Sequence, residues 1–213
     1  MEIYLKNLEE KLIKDYQNSL DENELLKKFS GLTTTEIADS IGENYIMDYE
    51  IKPISNGMKL LGRAFTVQLP FNDSKLTIDA INNAKPKDIL VINTNNSVNK
   101  AVLGDVKITM AMKNYLGGAV VDGSIRDAEK ITQLGFPLFA KHKVMSASGK
   151  DEGGELNVKI LCGGVSVNSG DIIMGDDNGV VVIPKDKIEE VLTKAYNKLK
   201  QDEEKIKKIL LGL

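Results

Sequence analysis

Residues 88–140 read DILVINTNNSVNKAVLGDVKITMAMKNYLGGAVVDGSIRDAEKITQLGFPLFA and are the most informative stretch for the architecture. Short apolar runs typical of buried strands alternate here with segments of helical periodicity. The runs predict strands at residues 88–93, 119–121 and 137–140, and the periodic segments predict helices at 104–115 and 127–134. Strands that alternate with helices pair in parallel through right-handed crossovers, so the stretch predicts an α/β core.

The flanking segments extend this core on both sides. A strand at 61–69 and a helix at 74–84 precede it, and residues 1–42 have the leucine spacing of helices. After Glu155, short β runs separated by glycine predict a second, more antiparallel sheet. We therefore predict one domain over 1–213, with N-terminal helices at 1–42, a mixed α/β core of two β layers at 51–184 and a C-terminal helix at 185–213.

The predicted C-terminal helix carries an apolar stripe whose steps alternate between four and three residues. The stripe consists of Ile188, Leu192, Ala195, Leu199, Ile206, Ile209 and Leu213, with a polar break at Asp202. A terminal helix of this kind packs either on its own domain or on a neighbouring subunit, and the pattern fits both.

Charge and composition exclude several classes of function. The 213 residues include 28 Lys and Arg against 31 Asp and Glu, a net charge of −3, so we expect no nucleic-acid or anionic-lipid partner. The sequence contains no apolar run long enough for a membrane span and begins without a signal-peptide pattern, so we expect a cytoplasmic protein. One cysteine and one histidine exclude an intrachain disulfide and a Cys- or His-rich zinc site. Any catalysis must rely on carboxylates, arginine, lysine and backbone amides.

The segment 118–127 (GAVVDGSIRD) gathers two acids and an arginine past the predicted strand, where α/β sheets place their ligand crevices. Asp122, Arg126 and Asp127 are therefore candidate site residues. Each acid also has an ordinary structural interpretation. Asp122 followed by glycine is typical of a turn, and Asp127 could cap the next helix.

A second candidate feature is the start of the helix near Gly104, because unpaired amides at a helix start bind carboxylates or phosphates. Asp105 could instead complement the helix dipole. If these amides and the Arg126–Asp127 pair face one anion, the site suits an α-keto acid beside a divalent cation. Oxygen-only ligands favour Mg²⁺ or Mn²⁺.

Several motifs in one order resemble the class II 4-hydroxy-4-methyl-2-oxoglutarate aldolases and their relatives, the regulators of ribonuclease activity A (RraA-like proteins). The resemblance runs from about residue 25 to near the C-terminus. The motifs are 33–39 (TTTEIAD), 51–54 (IKPI), 62–67 (GRAFTV), 88–92 (DILVI), 104–105 (GD), 120–127 (VVDGSIRD) and 175–184 (GDDNGVVVIP). The resemblance implies a three-layer β/β/α swivelling-domain-like fold and a homotrimer or hexamer with active sites at subunit interfaces.

The resemblance also implies roles for individual residues. Backbone amides of Gly104, Asp105, Val106 and Lys107 would bind the pyruvate carboxylate, although Val106 and Lys107 replace the family's usual pair of leucines. The arginine that matches Arg126 contacts pyruvate and its enolate oxygen. Asp127 would bind the metal directly, and Asp105 would bind it through water.

The implied reaction is retro-aldol cleavage of 4-hydroxy-4-methyl-2-oxoglutarate or a similar acid to pyruvate, with decarboxylation of oxaloacetate through the same enolate. The family's base is a glutamate on the C-terminal helix of an adjacent subunit. Here the local match is Glu203, and Asp202 is a direct competitor. The alternative function within the resemblance is a regulator that binds and inhibits a ribonuclease without catalysis.

Two further lysines and the cysteine receive structural interpretations. Lys107 and Lys159 do not lie in uninterrupted apolar strands, so we expect both to be solvated and neither to form a Schiff base. We expect Cys162 to pack as a small apolar group.

Overall fold

The computed structural model describes residues 2–21, 24–151 and 153–212, and its elements follow the predicted order. The helices are α1 (Glu2–Asp21), α2 (Glu24–Lys28), α3 (Thr34–Ile41), α4 (Leu76–Asn83), α5 (Asp105–Lys113), α6 (Ala128–Leu134) and α7 (Ile188–Leu210). The strands are β1 (Lys52–Pro53), β2 (Leu60–Gln68), β3 (Ile89–Asn93), β4 (Ala101–Leu103), β5 (Gly118–Ile125), β6 (Leu138–Lys143), β7 (Glu155–Leu156), β8 (Ile160–Cys162), β9 (Val165–Val167), β10 (Ile172–Asp176) and β11 (Gly179–Ile183).

The strands at the centre of the sheet pair in parallel, as predicted. Strands β2, β3, β5 and β6 are neighbours in that order, and all three pairs are parallel. The first four residues of β3 are buried, and most of β5 is buried too, as expected for strands that are covered on both faces. The short strand β4, which the sequence did not reveal, pairs in parallel with the end of β5.

The glycine-rich strands after residue 155 differ from the prediction, because most of them extend the first sheet. The hairpin of β10 and β11 joins β2 in antiparallel fashion, and β8 with β9 forms a separate two-stranded sheet. The large sheet curls until its edges approach each other, and Lys52 Nζ on β1 donates to the Asn178 carbonyl beside β11 at 2.6 Å. The nearly closed sheet supplies two β layers and the helices a third, which confirms the expected β/β/α architecture.

Apolar packing holds these layers together from both sides of the sheet. A cluster inside the curl includes Ile89, Val91 and Phe139. Another cluster lies between the sheet and the helices, where the buried Tyr16 of α1 donates its hydroxyl to the Leu116 carbonyl at 2.7 Å. Burial of such side chains is the main favourable contribution to folding.

Helix α7 divides into two halves with different environments. Leu192 and Ala195 in its first half are buried against α3 and the β10–β11 hairpin. In its second half, Ile206 and Ile209 are 57% and 73% exposed, and the predicted last member of the stripe, Leu213, lies outside the described residues. The first half therefore packs on its own chain, and the second half remains an exposed apolar ridge.

Cys162 on β8 packs as a small apolar group, as expected. It is completely buried in the cluster inside the curl, and burial raises the pKa of its thiol well above the usual range. In the described part of the chain, no helix has the length and apolar character needed to cross a membrane.

Candidate active site

The candidate site lies where two neighbouring parallel strands end. Strands β4 and β5 are hydrogen-bonded, and the Arg126 amide donates to the Leu103 carbonyl at 3.0 Å, which keeps the two ends side by side. One residue, Gly104, separates β4 from α5, and two residues, Arg126 and Asp127, separate β5 from α6. The topology therefore brings 104–107 and 126–127 together, as the sequence predicts, at the edge where α/β proteins bind ligands.

Asp127 has an unusual backbone for the residue that precedes a helix. Its φ and ψ are 57° and 32°, a left-handed conformation that non-glycine residues adopt uncommonly and that clusters at functional sites. Within the described residues its carboxylate makes no capping hydrogen bond to α6. Its Oδ2 lies 3.1 Å from Arg126 Nε and accepts a 3.4 Å hydrogen bond from the Asp105 amide. The carboxylate is therefore directed toward α5 and Arg126, and the capping interpretation is wrong.

Gly104 makes this approach possible through its lack of a side chain. A Cβ at this position would lie 2.6 Å from Asp127 Oδ2 and 3.0 Å from Arg126 Nε. The backbone φ of −152° is ordinary extended geometry, so the glycine is required for space and not for its backbone freedom. Any larger residue would displace the ion pair.

The start of α5 supplies amides that the helix itself does not use. The Val106 amide donates to Asp105 Oδ1 at 2.7 Å, and the Val106 side chain is 67% exposed, so this residue contributes to the site through its backbone. A cavity of about 220 Å³ opens beside these amides and is bordered by Arg126. Amides, the positive end of the helix dipole and a guanidinium together favour a small anion.

Lys107 contradicts the expectation that it is solvated. Its side chain is half-buried, and Nζ donates to the carbonyls of Ser74 and Val102 at 2.8 and 3.0 Å. Burial, followed by repulsion from Lys150 and Arg126, lowers the pKa of Lys107 to about 8. Sequence reasoning missed this because the buried surroundings come from a loop distant along the chain. Lys159 is exposed, as expected.

Asp122 does not lie beside Arg126 and Asp127, so the expectation that all three residues form one site is wrong for Asp122. Strand β5 continues to Ile125, and Asp122 therefore lies inside the strand instead of in a turn. Its carboxylate pairs with Lys141 at 2.8 Å and accepts from the Gly163 amide at 2.7 Å. These contacts tie β5 to β6 and to the β8–β9 turn, which gives Asp122 a structural role.

The sequence also gave no signal for the loop that covers the site from the other side. The Ser148 amide donates to the Ala101 carbonyl at 3.0 Å, and this bond holds the loop against β4. Ser74, Ser148 and Lys150 line the same cavity as Arg126. Segment 144–151 has no hydrophobic period, and its contacts are long-range, so only the folded chain reveals them.

The two candidate bases lie on the exposed half of α7. Asp202 pairs with Lys198 at 2.9 Å and with Lys205 at 3.1 Å, and hydrogen bonds from these lysines lower the pKa of its carboxyl. Glu203 is exposed beside Ile206. The described residues that line the cavity include neither acid. Within one copy of the chain, α7 therefore contributes neither of these acids to the lining of the cavity.

The two carboxylates at the site, those of Asp105 and Asp127, fit a weakly bound divalent cation such as Mg²⁺. Among the described residues, no group of three or more His, Cys, Asp or Glu could hold a metal. Asp105 and Asp127 border one shallow cavity on the outer side of the pair. Magnesium commonly binds one or two carboxylates and completes its octahedral shell with water and substrate oxygens. Two acids are therefore enough, provided that a ligand supplies further oxygens.

Comparison with known proteins supports the same family as the motifs. The sequence model of the family described as "RraA-like: Aldolase/RraA" matches residues 34–182, which is more than half of the chain. The chain belongs to the RraA-like family. Residues 104–127, which build the site, fall inside the matched range.

Individual relatives of the RraA-like chain carry different descriptions. A protein of Halalkalibacterium halodurans named "Putative 4-hydroxy-4-methyl-2-oxoglutarate aldolase" is 37% identical over 182 residues, which cover 85% of this chain and 87% of that protein. An uncharacterised protein of Methanocaldococcus jannaschii is 40% identical over 76% of this chain and 78% of its own length. A solved structure from Streptomyces coelicolor superposes with a TM-score of 0.76 at 25% identity, covering 85% of this chain and 95% of that one. It is described as "an unusual member of the RNase ES inhibitor RraA protein family".

Proposed function

We propose that this RraA-like chain is a divalent-metal-dependent aldolase that releases pyruvate from 4-hydroxy-4-methyl-2-oxoglutarate or a similar 4-hydroxy-2-oxo acid. The same site would decarboxylate oxaloacetate. The observation that carries the proposal is the pairing of Arg126 with a left-handed Asp127 beside the first-turn amides of α5. The name of the Halalkalibacterium relative supports aldolase activity as the class of reaction.

Binding of the keto acid follows from the charges at the edge of the cavity. The amides at the start of α5 would hold the substrate carboxylate, and the Arg126 guanidinium would donate to the keto oxygen. Both groups are fixed before the substrate arrives, so they stabilise negative charge that develops on that oxygen without reorganisation. A divalent cation held by Asp127, and by Asp105 through water, would polarise the keto group as a Lewis acid when bound.

Bond cleavage then requires one proton acceptor. The base removes the proton of the C4 hydroxyl, and the hydroxyl oxygen forms the carbonyl of a second 2-oxo acid as the C3–C4 bond breaks. The electron pair of that bond passes to the C2 oxygen to give the enolate of pyruvate. Protonation at C3 completes the reaction. We assign the base to Glu203 of a neighbouring copy in a trimer or hexamer, because the carboxylate of Asp202 is already occupied by Lys198 and Lys205.

The test is pyruvate release from 4-hydroxy-4-methyl-2-oxoglutarate and from oxaloacetate, measured with lactate dehydrogenase as the coupling enzyme. We expect turnover with Mg²⁺ or Mn²⁺, loss of turnover with a chelator, and recovery when excess metal is added. Turnover that is insensitive to chelation contradicts the metal. No turnover, together with inhibition of a ribonuclease by the purified chain, would favour the regulator described for the Streptomyces relative.

A further inference from the structure

We propose that the exposed apolar ridge of α7 docks on a second copy of the chain, in a groove between α1, α5 and α6. The inference goes beyond the proposed function, because it assigns a binding surface to the neighbouring helix that carries Glu203. Only the catalytic consequence of the contact rests on the proposed function. The ridge consists of Ile206, Ile209, Leu210 and Leu211.

The groove is an open apolar surface beside α1. A cavity of about 810 Å³ is lined there by Leu5, Leu8 and Leu12 of α1 and by Leu134 of α6. Leu8 is 47% exposed, and polar side chains border the leucines. An exposed apolar patch with a polar border is typical of a protein interaction site. Helix α1 lies before residues 34–182, which the family model matches, so the groove extends beyond the matched part of the chain.

The ridge is a second exposed apolar surface on the same chain. Leu210 is 81% exposed, whereas Leu192 and Ala195 in the first half of α7 are buried against their own domain. The buried half therefore holds the ridge in a fixed direction, away from its own core. Burial of apolar surface drives most protein association, and one contact between ridge and groove would bury both surfaces.

The two surfaces also match in length. One face of α5 runs from Asp105 to Lys113, which spans about 12 Å, and Lys113 lines the groove. One face of α7 runs from Glu203 to Leu210, which spans about 10.5 Å. A neighbouring α7 that lies parallel to α5 with Leu210 at Lys113 therefore brings its other end to the level of Asp105. That end carries Glu203.

The groove continues into the candidate site. Glu9 lines the groove and forms an ion pair with Lys130 of α6. Lys130 also borders the shallow cavity between Asp105 and Asp127. A helix in the groove would therefore also cover this cavity.

The net charges of the two surfaces are opposite. Residues 203–211 include three lysines and two glutamates, a net charge of +1. The groove and the shallow cavity are bordered by four acids and three lysines, a net charge of −1. Opposite potentials favour association of the two surfaces. Two different surfaces of one chain that bind each other produce a head-to-tail contact, which closes into a ring such as a trimer.

Cross-linking between two cysteine variants tests the contact. Leu8→Cys places a thiol in the groove, and Leu210→Cys places one on the ridge. The native Cys162 is buried, and the raised pKa of its thiol keeps it unreactive. The two variants are co-expressed with different tags, purified through both tags and treated with a short bismaleimide. We expect covalent dimers on a denaturing gel from the mixed oligomer and none from either variant alone.

Leu161→Cys, in place of Leu8→Cys, is the matched control. Leu161 is a leucine on β8 that is 59% exposed, and its cysteine variant should give no dimers with Leu210→Cys. Dimers from Leu8→Cys alone would place a second α1 in the groove and overturn the inference. It is also overturned if the two tagged chains do not co-purify, if the mixed oligomer gives no dimers, or if the control gives as many.

The catalytic consequence has its own test, in mixed oligomers of Arg126→Lys and Glu203→Gln chains. Random mixing gives roughly a quarter of the sites an intact Arg126 from one chain and an intact Glu203 from the next, so pyruvate release should exceed that of either variant alone by about 10-fold. Leu8→Asp on the Glu203→Gln chain, which supplies the groove of those sites, should remove this gain. The same substitution on the Arg126→Lys chain should keep it.

The inference and the proposed function fail separately in these experiments. Equal loss of the gain with Leu8→Asp on either chain would overturn the groove as the docking surface. Cross-linked dimers without any pyruvate release would keep the contact and remove the aldolase assignment.

Discussion

Replacement of Gly104 by alanine adds one carbon atom at the centre of the candidate site. The new Cβ would lie 2.6 Å from Asp127 Oδ2, so that oxygen must retreat by roughly 0.8 Å to reach an ordinary contact of 3.4 Å. Arg126 Nε, at 3.0 Å, must also move. A misplacement of about 1 Å in a catalytic group costs on the order of 100-fold in rate, or about 2.7 kcal/mol. We therefore expect kcat/KM of Gly104→Ala to fall about 100-fold.

The fold should tolerate this substitution, because the backbone of Gly104 is extended and the atoms in conflict all belong to two half-exposed side chains and not to the backbone. We expect a change of less than about 1 kcal/mol in the free energy of unfolding. Gly57→Ala is the matched control. Its φ of 78° strains alanine by about 1–2 kcal/mol, yet the new Cβ stands in open space among the described residues. That control should lower Tm and preserve kcat/KM in the pyruvate-release assay. Gly104→Ala with kcat/KM within 3-fold of wild type would refute the geometric argument.

Three other predictions concern the guanidinium, the base and a helix start. Arg126→Lys should lose about 2.7–4 kcal/mol of transition-state stabilisation in oxaloacetate decarboxylation, because an ammonium does not reproduce the planar fork; a near-normal kcat would exclude Arg126 from the reaction. Glu203→Gln should lower kcat about 100-fold and flatten the acid limb of its pH profile, while Asp202→Asn stays within about 3-fold; the reverse pattern would make Asp202 the base. The amide and the hydroxyl of Thr34 donate to the Asp176 carboxylate at 3.0 and 2.7 Å. Burial raises the pKa of this carboxyl, but the hydrogen bonds outweigh burial and hold the pKa below its usual range. Asp176→Asn should therefore cost about 1 kcal/mol of unfolding free energy at pH 7 in urea titrations. The difference from wild type should shrink as pH falls below about 4, where the carboxyl of the unfolded chain takes up a proton before that of the folded chain; a constant difference would contradict the charge argument.

The order of most helices and strands could be predicted, because each leaves a pattern of apolar residues within its own stretch of sequence. The apolar run at β3 and the helical spacing at α5 are both visible in the sequence and correct in the structure. The partner of β10 was not predictable, because glycine-punctuated strands fit a separate sheet as well as an extension of the first. Strand β4 was missed for a different reason. Its three residues are too few to show any period.

The site divides in the same way between local and distant contributions. Residues 104–107 and 126–127 were predictable as neighbours, because parallel strands carry their following loops to one edge. The environments of Asp122 and Lys107 were not, since Lys141 and Ser74 approach them from other parts of the chain. Spacing along a sequence identifies which groups share an edge. Burial and charge then depend on loops that spacing does not describe.

The buried position of Cys162 has a practical consequence for spectroscopy. The chain has one cysteine, and because burial raises the pKa of its thiol, little reactive thiolate forms at neutral pH. A cysteine introduced in place of Met145, which is 96% exposed in the loop that leads to Ser148, would therefore be the preferred target of a maleimide dye. The label would stand on the loop that carries Ser148 to the edge of the cavity, and no native thiol would have to be removed first.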